Sequence, residues 1–550
     1  MSTTTPENPA APAPDQNEID PHVYERRWAI LAVLCTSLMI VIIGNTSLNV
    51  AIPRLQLDLD ASNSQLAWMV DSYALVFAGL LFTAGTLGDK FGRKGALQGG
   101  LVVFLVGAYL AATASSAGGI IGARAVMGVA AAFVMPSTLS ILTNVFPAHE
   151  RPKAIAIWAG ISGGGAAIGP IASGYLLEHF WWGSVFLVNL PIILIALVVG
   201  AILVPTSKDP EDQPLDFIGA LLSIVALSTL VYGIIEGPHN GWLSGTSFLI
   251  FGVAAVALVL FVIWENTTAS PMLDLTLFRD RRFSVASAGI SLTFFAMFGT
   301  FFLVAQYFQL VLGYSALESG LFQLPMAFVM MALAPQVPKL VERFGAHGVV
   351  PVGLAFTSLG LIAFSFMTVD SPVWTIYFSV IPLASGMALT MTPLTTLIMA
   401  SVPLGRAGMG SAMNDTTREL GGALGVAVLG SVLTTTYTGQ LAPLVERLPA
   451  EAAGYVDSGL GGAIGVATAM GPDGEALLQA AKQAFVDGMS NAAIVGAIAV
   501  AVASVAARRL LPRGADVPPG AHPGFAGSPE EGAAGDVVDE GVVTPTPIIE

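Results

Sequence analysis

The sequence is poor in charged residues and almost lacks cysteine. Asp, Glu, Lys and Arg make up 11% of its 550 residues, against about 25% in soluble domains, which excludes an ordinary soluble globular protein. The one cysteine, Cys35, excludes an internal disulfide and a thiolate metal cluster. The six histidines show no ligand spacing, so we expect no metal and no cofactor. No P-loop signature occurs, which disfavours ATP-driven transport by this chain.

Long uncharged runs take the place of the missing charge. Trp28 to Pro53 contains no charged residue and exceeds the roughly 20 residues that cross a bilayer as a helix. Thirteen more apolar runs follow, so the sequence predicts an all-α membrane protein with fourteen spans. The spans are predicted at about 28–53, 66–88, 95–115, 119–143, 154–177, 181–204, 217–235, 246–264, 283–312, 319–340, 348–368, 373–400, 408–435 and 488–507.

The basic residues support this count and predict an orientation. With the N-terminus inside, seventeen of the 22 Lys and Arg residues fall in cytoplasmic segments, three fall outside and two lie within spans. Cytoplasmic loops carry such an excess, and a miscounted span would invert every later loop. We therefore expect both termini to be cytoplasmic. Acidic residues cluster in the two polar tails, 1–27 and 511–550, which we predict to be disordered.

An internal repeat indicates two related halves. GTLGDKFG at 85–92 aligns without a gap with PKLVERFG at 338–345, and each follows an even-numbered predicted span. Parallel duplication of six-helix halves is a known transporter layout. The predicted units are six-helix bundles at 28–205 and 271–510, the latter with an outer loop at 436–487, and an inserted helix pair, spans 7 and 8, at 206–270.

The segment GTLGDKFGRK at 85–94 resembles the loop signature between the second and third spans of the major facilitator superfamily. The matching residues are Gly85, Leu87, Asp89, Gly92, Arg93 and Lys94. Glycines let two helix ends approach, and Asp89 offers a negative charge to the positive N-terminus of a partner helix. We expect this segment to act as a conformational latch.

Further stretches narrow the resemblance. IGARAVMGVAAA at 121–132 is similar to the fourth-span signature, and GAAIGPIASGYLL at 165–177 to the fifth-span signature of exporters. The small residues and the proline of the latter suit close helix packing and a bend; ordinary packing is the alternative. The residues concerned are Gly165, Gly169, Pro170 and Gly174. With the fourteen-span count, NDTTRELGGALGVAVLGSV at 414–432 resembles the fourteen-span drug/proton antiporter family.

The resemblance leaves the proton site open. In that family the first span commonly ends in a pattern with an acid, where this chain has Gly44. Asp71 is the only acid well inside the predicted N-terminal half, and by the resemblance its partner is Arg124. Because a charge within the membrane is costly, Asp71 is expected to carry a proton or bind a cationic substrate. A structural ion pair and a position near the outer surface are the alternatives.

Polar and aromatic residues predict a substrate pathway. Asn45 and Asn49 lie four residues apart, on one helix face with Thr46 near it, and polar groups within a span usually face a cavity; simple interhelical hydrogen bonding is the alternative. Phe298 and Phe302 on span 9 supply apolar surface for a pocket, unless they face lipid or a neighbouring helix.

Three charged residues lie near the start of span 13. Asp415, Arg418 and Glu419 are spaced so that one helix face carries all three. They form either an ion-pair network that opens and closes with the bundles, with Asp415 and Arg418 as part of the latch, or a second titrating site at Glu419.

The resemblance implies a secondary transporter of the plasma membrane. It would export amphipathic or cationic drugs in exchange for protons, with the lipid bilayer as its surroundings and no nucleic-acid partner. One alternative is export of a single endogenous metabolite, peptide or lipid. Another is a membrane-embedded enzyme or signalling protein, but no loop shows the convergent reactive groups that an enzyme needs.

Overall fold

The computed structural model describes residues 19–59, 61, 63–208, 215–322 and 324–512, and within them all regular structure is helical. The first helices are α1 (Pro21–Leu59), α2 (Asn63–Phe91), α3 (Arg93–Ala112), α4 (Ala117–Val145), α5 (Arg151–His179), α6 (Ser184–Leu187) and α7 (Asn189–Leu203). Two follow as α8 (Phe217–Asn240) and α9 (Gly245–Thr267). The remainder are α10 (Arg281–Gln306), α11 (Ala316–Leu321), α12 (Leu324–Leu333), α13 (Val337–Phe344), α14 (Ala346–Phe364), α15 (Val373–Ala400), α16 (Ala407–Val445), α17 (Ala450–Asp457), α18 (Leu460–Met470) and α19 (Glu475–Leu510). The predicted all-α membrane fold is confirmed.

Thirteen helical segments of the described residues are long and apolar enough to cross a membrane. Each overlaps one of the predicted spans. The predicted fifth span corresponds to α5, a helix of 29 residues that is not among the thirteen. The count of fourteen and the cytoplasmic orientation of the termini therefore remain predictions.

Two predicted boundaries are wrong. Residues 21–27, assigned to a disordered tail, form the first turns of α1, where Arg27 is anchored by Glu150 at an Nε to Oε2 distance of 2.6 Å. Span 13 is predicted to end at 435, but the segment 436–487, predicted as an outer loop that could fold as short helices, is mostly helical. There α16 extends to Val445, and the Tyr437 hydroxyl donates to the Val456 carbonyl at 3.2 Å. The rest of both tails, 1–18 and 513–550, lies outside the described residues.

The predicted inserted pair, α8 and α9, packs against the bundle through α8. The Trp68 ring of α2 stacks on Tyr232 of α8 with centroids 6.0 Å apart, and α8 also contacts α16. In contrast, α9 exposes large apolar residues along its length, including Leu249, Val256 and Val259. Exposed apolar surface of this extent suits contact with lipid, so α8 packs against the bundle and α9 lies at the periphery.

Candidate functional site

A buried arginine ties together α1, α2 and α4. Arg124 has no exposed surface, and its Nε donates to the Met69 carbonyl at 3.0 Å and its Nη1 to the Gly44 carbonyl at 2.9 Å. Its Nη2 donates to Asn45 Oδ1 at 3.3 Å. The guanidinium carbon lies 4.3 Å from the centroid of the Tyr73 ring, a cation–π arrangement. Three neutral oxygen atoms and one aromatic ring therefore surround the Arg124 guanidinium.

The place of the family's first-span acid is filled by an aromatic ring. A Cβ added at Gly44 would lie 2.7 Å from the Phe104 ring of α3, closer than real Cβ contacts. Phe104 has no exposed surface. A side chain at position 44 therefore requires Phe104 to move. The present packing leaves no room for one.

The predicted ion pair between Asp71 and Arg124 is absent among the described residues. Tyr73, two residues beyond Asp71 on α2, points to Arg124. Two residues rotate an α-helix by about 200°, so Asp71 faces the other way, toward α8. There its half-buried carboxyl interacts electrostatically with that of Glu236.

A second buried arginine lies on α16. Arg418 Nη1 is 3.4 Å from Asp415 Oδ1, and its Nη2 donates to Ser162 Oγ of α5 at 2.9 Å. The guanidinium carbon lies 4.6 Å from the Phe294 ring centroid and 5.4 Å from that of Trp158. Arg418 thus joins α5 and α10 through α16. The other Asp415 oxygen, Oδ2, is buried without a hydrogen-bond partner.

Glu419 is half-buried on α16, next to the second buried arginine. Its carboxyl interacts electrostatically with Arg418 and Asp415 of its own helix and with the Tyr73 phenol of α2, which the Arg124 charge also reaches. Tyr73 comes from the predicted first half and Glu419 from the second. The structure therefore places a carboxyl beside the buried cation Arg418, where α16 meets α2.

The predicted pathway residues have different surroundings. Asn45 is half-buried and bonded to Arg124, whereas Thr46 donates to the carbonyl of Ile42 at 3.0 Å on its own helix. Phe298 is half-buried, with Phe294 5.9 Å away between ring centroids. Phe302, with 38% of its surface exposed, is the most open of the four. The Asn49 side chain lies outside what the structure describes.

Asp89 binds the N-terminus of α16. Its Oδ1 accepts from the backbone N–H of Gly408 at 3.0 Å and its Oδ2 from that of Met409 at 3.2 Å. Arg93 Nε donates to the same carboxylate at 2.7 Å, and Arg93 Nη2 donates to the carbonyls of Leu404 and Gly405 at 2.9 and 2.6 Å. A carboxylate at a helix N-terminus is favourable, and both buried charges are satisfied.

Two glycines make this contact possible. A Cβ on Gly85 would lie 2.7 Å from the Gly408 carbonyl oxygen, so α2 and α16 cross with their backbones nearly in contact. Gly92 has φ of 116°, a value that L side chains rarely adopt, and turns the chain from α2 into α3. Lys94 then donates from Nζ to the Ala201 carbonyl at 2.7 Å, which ties α3 to α7.

Small residues along α5 admit neighbours on two sides. Gly165 and Gly169 pack against α1, where a Cβ at Gly169 would collide with Thr46 Oγ1. Gly174 packs against α11, with an added Cβ 3.1 Å from that of Leu317. Pro170 lies within the helix. The α5 segment thus contacts the predicted first half through α1 and the second half at Ser162 and Gly174.

Sequence reasoning missed several members of this site. Tyr73, Trp158 and Ser162 carry no motif signal, because an aromatic or hydroxyl residue in a span usually serves packing. The spacing of Tyr73 from Asp71 shows that they occupy different faces, but not which face meets α4. No group of three or more His, Cys, Asp or Glu with the geometry to hold a metal occurs in the described part of the chain.

Comparisons with known proteins match most of the chain. The family model described as "Major Facilitator Superfamily" matches residues 34–426. The chain is similar to "Multidrug efflux pump LfrA" of Mycolicibacterium smegmatis, with 39% identity over 491 residues that cover 88% of this chain and 97% of the relative. It is 36% identical over 424 residues to "Multidrug resistance protein Stp" of Mycobacterium tuberculosis, covering 76% of this chain and 79% of that one.

A solved structure shares the fold. The inward-facing, unoccupied crystal structure of a bacterial homolog to the human lysosomal transporter Spinster matches with a TM-score of 0.57 and 19% identity. The match covers 90% of this chain and 98% of that one.

Proposed function

The chain belongs to the major facilitator superfamily, and we propose that it exports amphipathic or cationic drugs in exchange for protons. The observation that carries this proposal is the 39% identity to a protein named as a multidrug efflux pump, along 97% of that protein. Because the similarity runs through α1, α2, α4 and α16, it includes the elements that form the Arg124 and Asp89 clusters.

Glu419 is the favoured seat of the exchanged proton. Glu419 on α16 interacts electrostatically with Tyr73 on α2 and with the buried Arg418, which donates to Ser162 of α5. Protonation of Glu419 removes a charge beside this buried cation and so changes the electrostatics where α16 meets α5. Asp71 is the second candidate, since it lies half-buried on α2 beside α8.

The Asp89 cluster acts as a latch on the cytoplasmic side. In the predicted orientation, the loop between α2 and α3 and the start of α16 both face the cytoplasm, so this arrangement is closed on that side. Opening to the cytoplasm must break the contacts of Asp89 with Gly408 and Met409 and those of Arg93 with Leu404 and Gly405. Arg418 and Ser162 part in the same movement. Two bundles, 28–205 and 271–510, then rock about the central site in the plasma membrane.

Efflux of a fluorescent cationic dye from cells that lack their own pumps tests the proposal. Wild type, Asp71→Asn and Glu419→Gln are compared at equal expression, each with and without a protonophore. We expect wild type to export the dye only without the protonophore and Glu419→Gln to export none. Wild-type export that survives the protonophore contradicts proton coupling.

The same cells separate a second candidate function. If wild type exports none of a panel of dyes, export of one endogenous metabolite, peptide or lipid is favoured instead. The observation behind this candidate is that Gly44, packed against the Phe104 ring, stands where the family pattern has an acid.

A further inference from the structure

A cavity of about 490 Å³ lies beside the inserted helix pair, outside the Arg124 cluster. Its walls come from α2, α8, α9, α16 and the helical turn at Leu275–Arg279. Phe82 of α2 and Met413 of α16 line its inner side, and Ala226 of α8 lines the side of the inserted pair. The volume falls in the range of ligand pockets, roughly 300–1,000 Å³.

The walls are apolar and carry one unsatisfied polar group. Within the described part of the chain, no charged side chain lines the cavity. Ser223, Asn266 and Thr417 line it but each donates to a carbonyl of its own helix, at 2.9, 2.7 and 2.8 Å. Thr416 also lines it, only 3% exposed, and its Oγ1 is itself buried without a hydrogen-bond partner. A ligand that fits is therefore uncharged and largely apolar.

The mouth of the cavity faces sideways. Three lining residues, Leu258, Val262 and Phe278, are 44%, 39% and 40% exposed. They continue the exposed apolar surface of α9, whose Val259 is 57% exposed. In a chain that spans the membrane, such a surface meets the acyl chains of lipids. The cavity therefore opens to the hydrocarbon phase.

We propose that this cavity binds one acyl chain of a membrane lipid. Burying an acyl chain against these apolar walls is favoured by packing, because the hydrocarbon gains contacts that an empty cavity lacks.

The bound acyl chain also favours the closed arrangement of the Asp89 latch. Phe82 lies seven residues before Asp89, and Met413 lies five after Gly408, so the cavity begins about 10 Å or less along each helix from the latch. It is walled by both α2 and α16, the two helices that the latch joins. A ligand that contacts both helices binds best when they are together and so favours the latched arrangement.

Photolabelling tests the proposal without measuring transport. The full chain is reconstituted into phosphatidylethanolamine and phosphatidylglycerol vesicles that contain a trace of phospholipid with a diazirine in mid-chain. After irradiation, labelled residues are identified by mass spectrometry. We expect adducts on Met413 and Ala226, which are 8% and 2% exposed and so lie beyond the reach of lipid at the outer surface.

Matched variants show whether the acyl chain enters the cavity through its lateral opening. Val262→Trp blocks the mouth and should lower labelling of Met413 about tenfold, the effect of losing roughly two buried methylene contacts. Val259→Trp, the same change on the lipid-facing side of α9, should leave it unaltered.

Two results would overturn the proposal. One is labelling confined to outward-facing residues such as Val259. The other is equal labelling of Met413 in wild type and in Val262→Trp. A diazirine analogue of an amphipathic cation is tested in the same vesicles. If it labels Met413 while the lipid probe does not, the cavity belongs to a transported compound and the lipid proposal is wrong.

Discussion

Asp89 and Arg93 are buried opposite charges whose remaining hydrogen bonds go to backbone groups at the start of α16. Both are nearly inaccessible, 5% and 1% exposed, and the carboxylate accepts three hydrogen bonds. Removing one partner of a buried pair leaves an uncompensated charge, whereas removing both does not. The Asp89 and Arg93 pair therefore stabilises the arrangement in which both side chains contact the start of α16.

A double-mutant cycle measures this coupling. Asp89→Asn should lower the free energy of unfolding in detergent by about 3 kcal/mol, because the Arg93 charge is left unpaired. Asp89→Asn combined with Arg93→Gln should cost less than the sum of the two single variants. Additive losses, measured by thermal or denaturant unfolding, would show that the two side chains act independently.

The ion pair of Arg27 and Glu150 predicts a pH dependence outside the membrane-spanning segments. The Arg27 guanidinium hydrogen-bonds to Glu150 and lowers the pKa of this carboxyl. A lowered folded-state pKa gives stability that is fully present above the unfolded value, about 4.3, and lost as the pH falls through the lower folded value.

Acid unfolding of wild type and Arg27→Gln checks this dependence. We expect wild type to lose stability relative to the variant as the pH falls below about 4.3, until the two converge in strong acid. The effect should be small, since both side chains are partly exposed. Parallel pH profiles of the two proteins would contradict it.

At the scale of elements, the crossing of α2 and α16 depends on backbone contact rather than on large side chains. Gly85 and Gly408 face each other at the crossing, with room for no Cβ at either position. Within a lipid-facing bundle, association relies on such close packing, because lipid is as apolar as the helix surface.

Gly85→Ala should separate the two helices. The added methyl group overlaps the Gly408 carbonyl oxygen at 2.7 Å, and overpacking of this kind costs about 1–3 kcal/mol. Gly99→Ala on α3 is the matched control, because an added Cβ there has nothing within 4 Å. That change should stabilise by up to about 1 kcal/mol through helix propensity. Equal unfolding midpoints of the two variants would argue against backbone contact at the crossing.

The sequence predicts where most helices lie, but it does not predict the helix ends that tertiary contacts determine. The run at 119–143 matches α4 (Ala117–Val145), because a continuous apolar stretch leaves few alternatives in a membrane. The run at 408–435 ends ten residues before α16 does. There the polar residues of TTTYTGQ lower the hydropathy, while the Tyr437 contact with the Val456 carbonyl joins the helix extension to α17.

The candidate site was predictable in its residues but not in its pairings. Arg124, Asp89 and Glu419 stand out as charges near or within apolar runs. Which groups they meet depends on the rotation of each helix about its axis, and Asp71 faces α8 for that reason. The lateral cavity has no sequence signal at all, because its walls consist of ordinary packing residues from five separate segments.

At the scale of the whole molecule, the proposed function exchanges outward movement of a drug for inward movement of protons across the interface of two helical bundles. Glu419 and the proposed latch at Asp89 both lie where α2 meets α16. Protonation of Glu419 is therefore expected to change how firmly these two helices are held together.

Proton flux in reconstituted vesicles tests the exchange of drug for protons. Purified wild type and Glu419→Gln are placed in vesicles that contain a trapped pH indicator, and a gradient of a cationic drug is imposed without any pH gradient. We predict that wild type moves protons against the direction of drug flow and that Glu419→Gln moves none. Drug movement through wild type with no change of internal pH would contradict proton exchange.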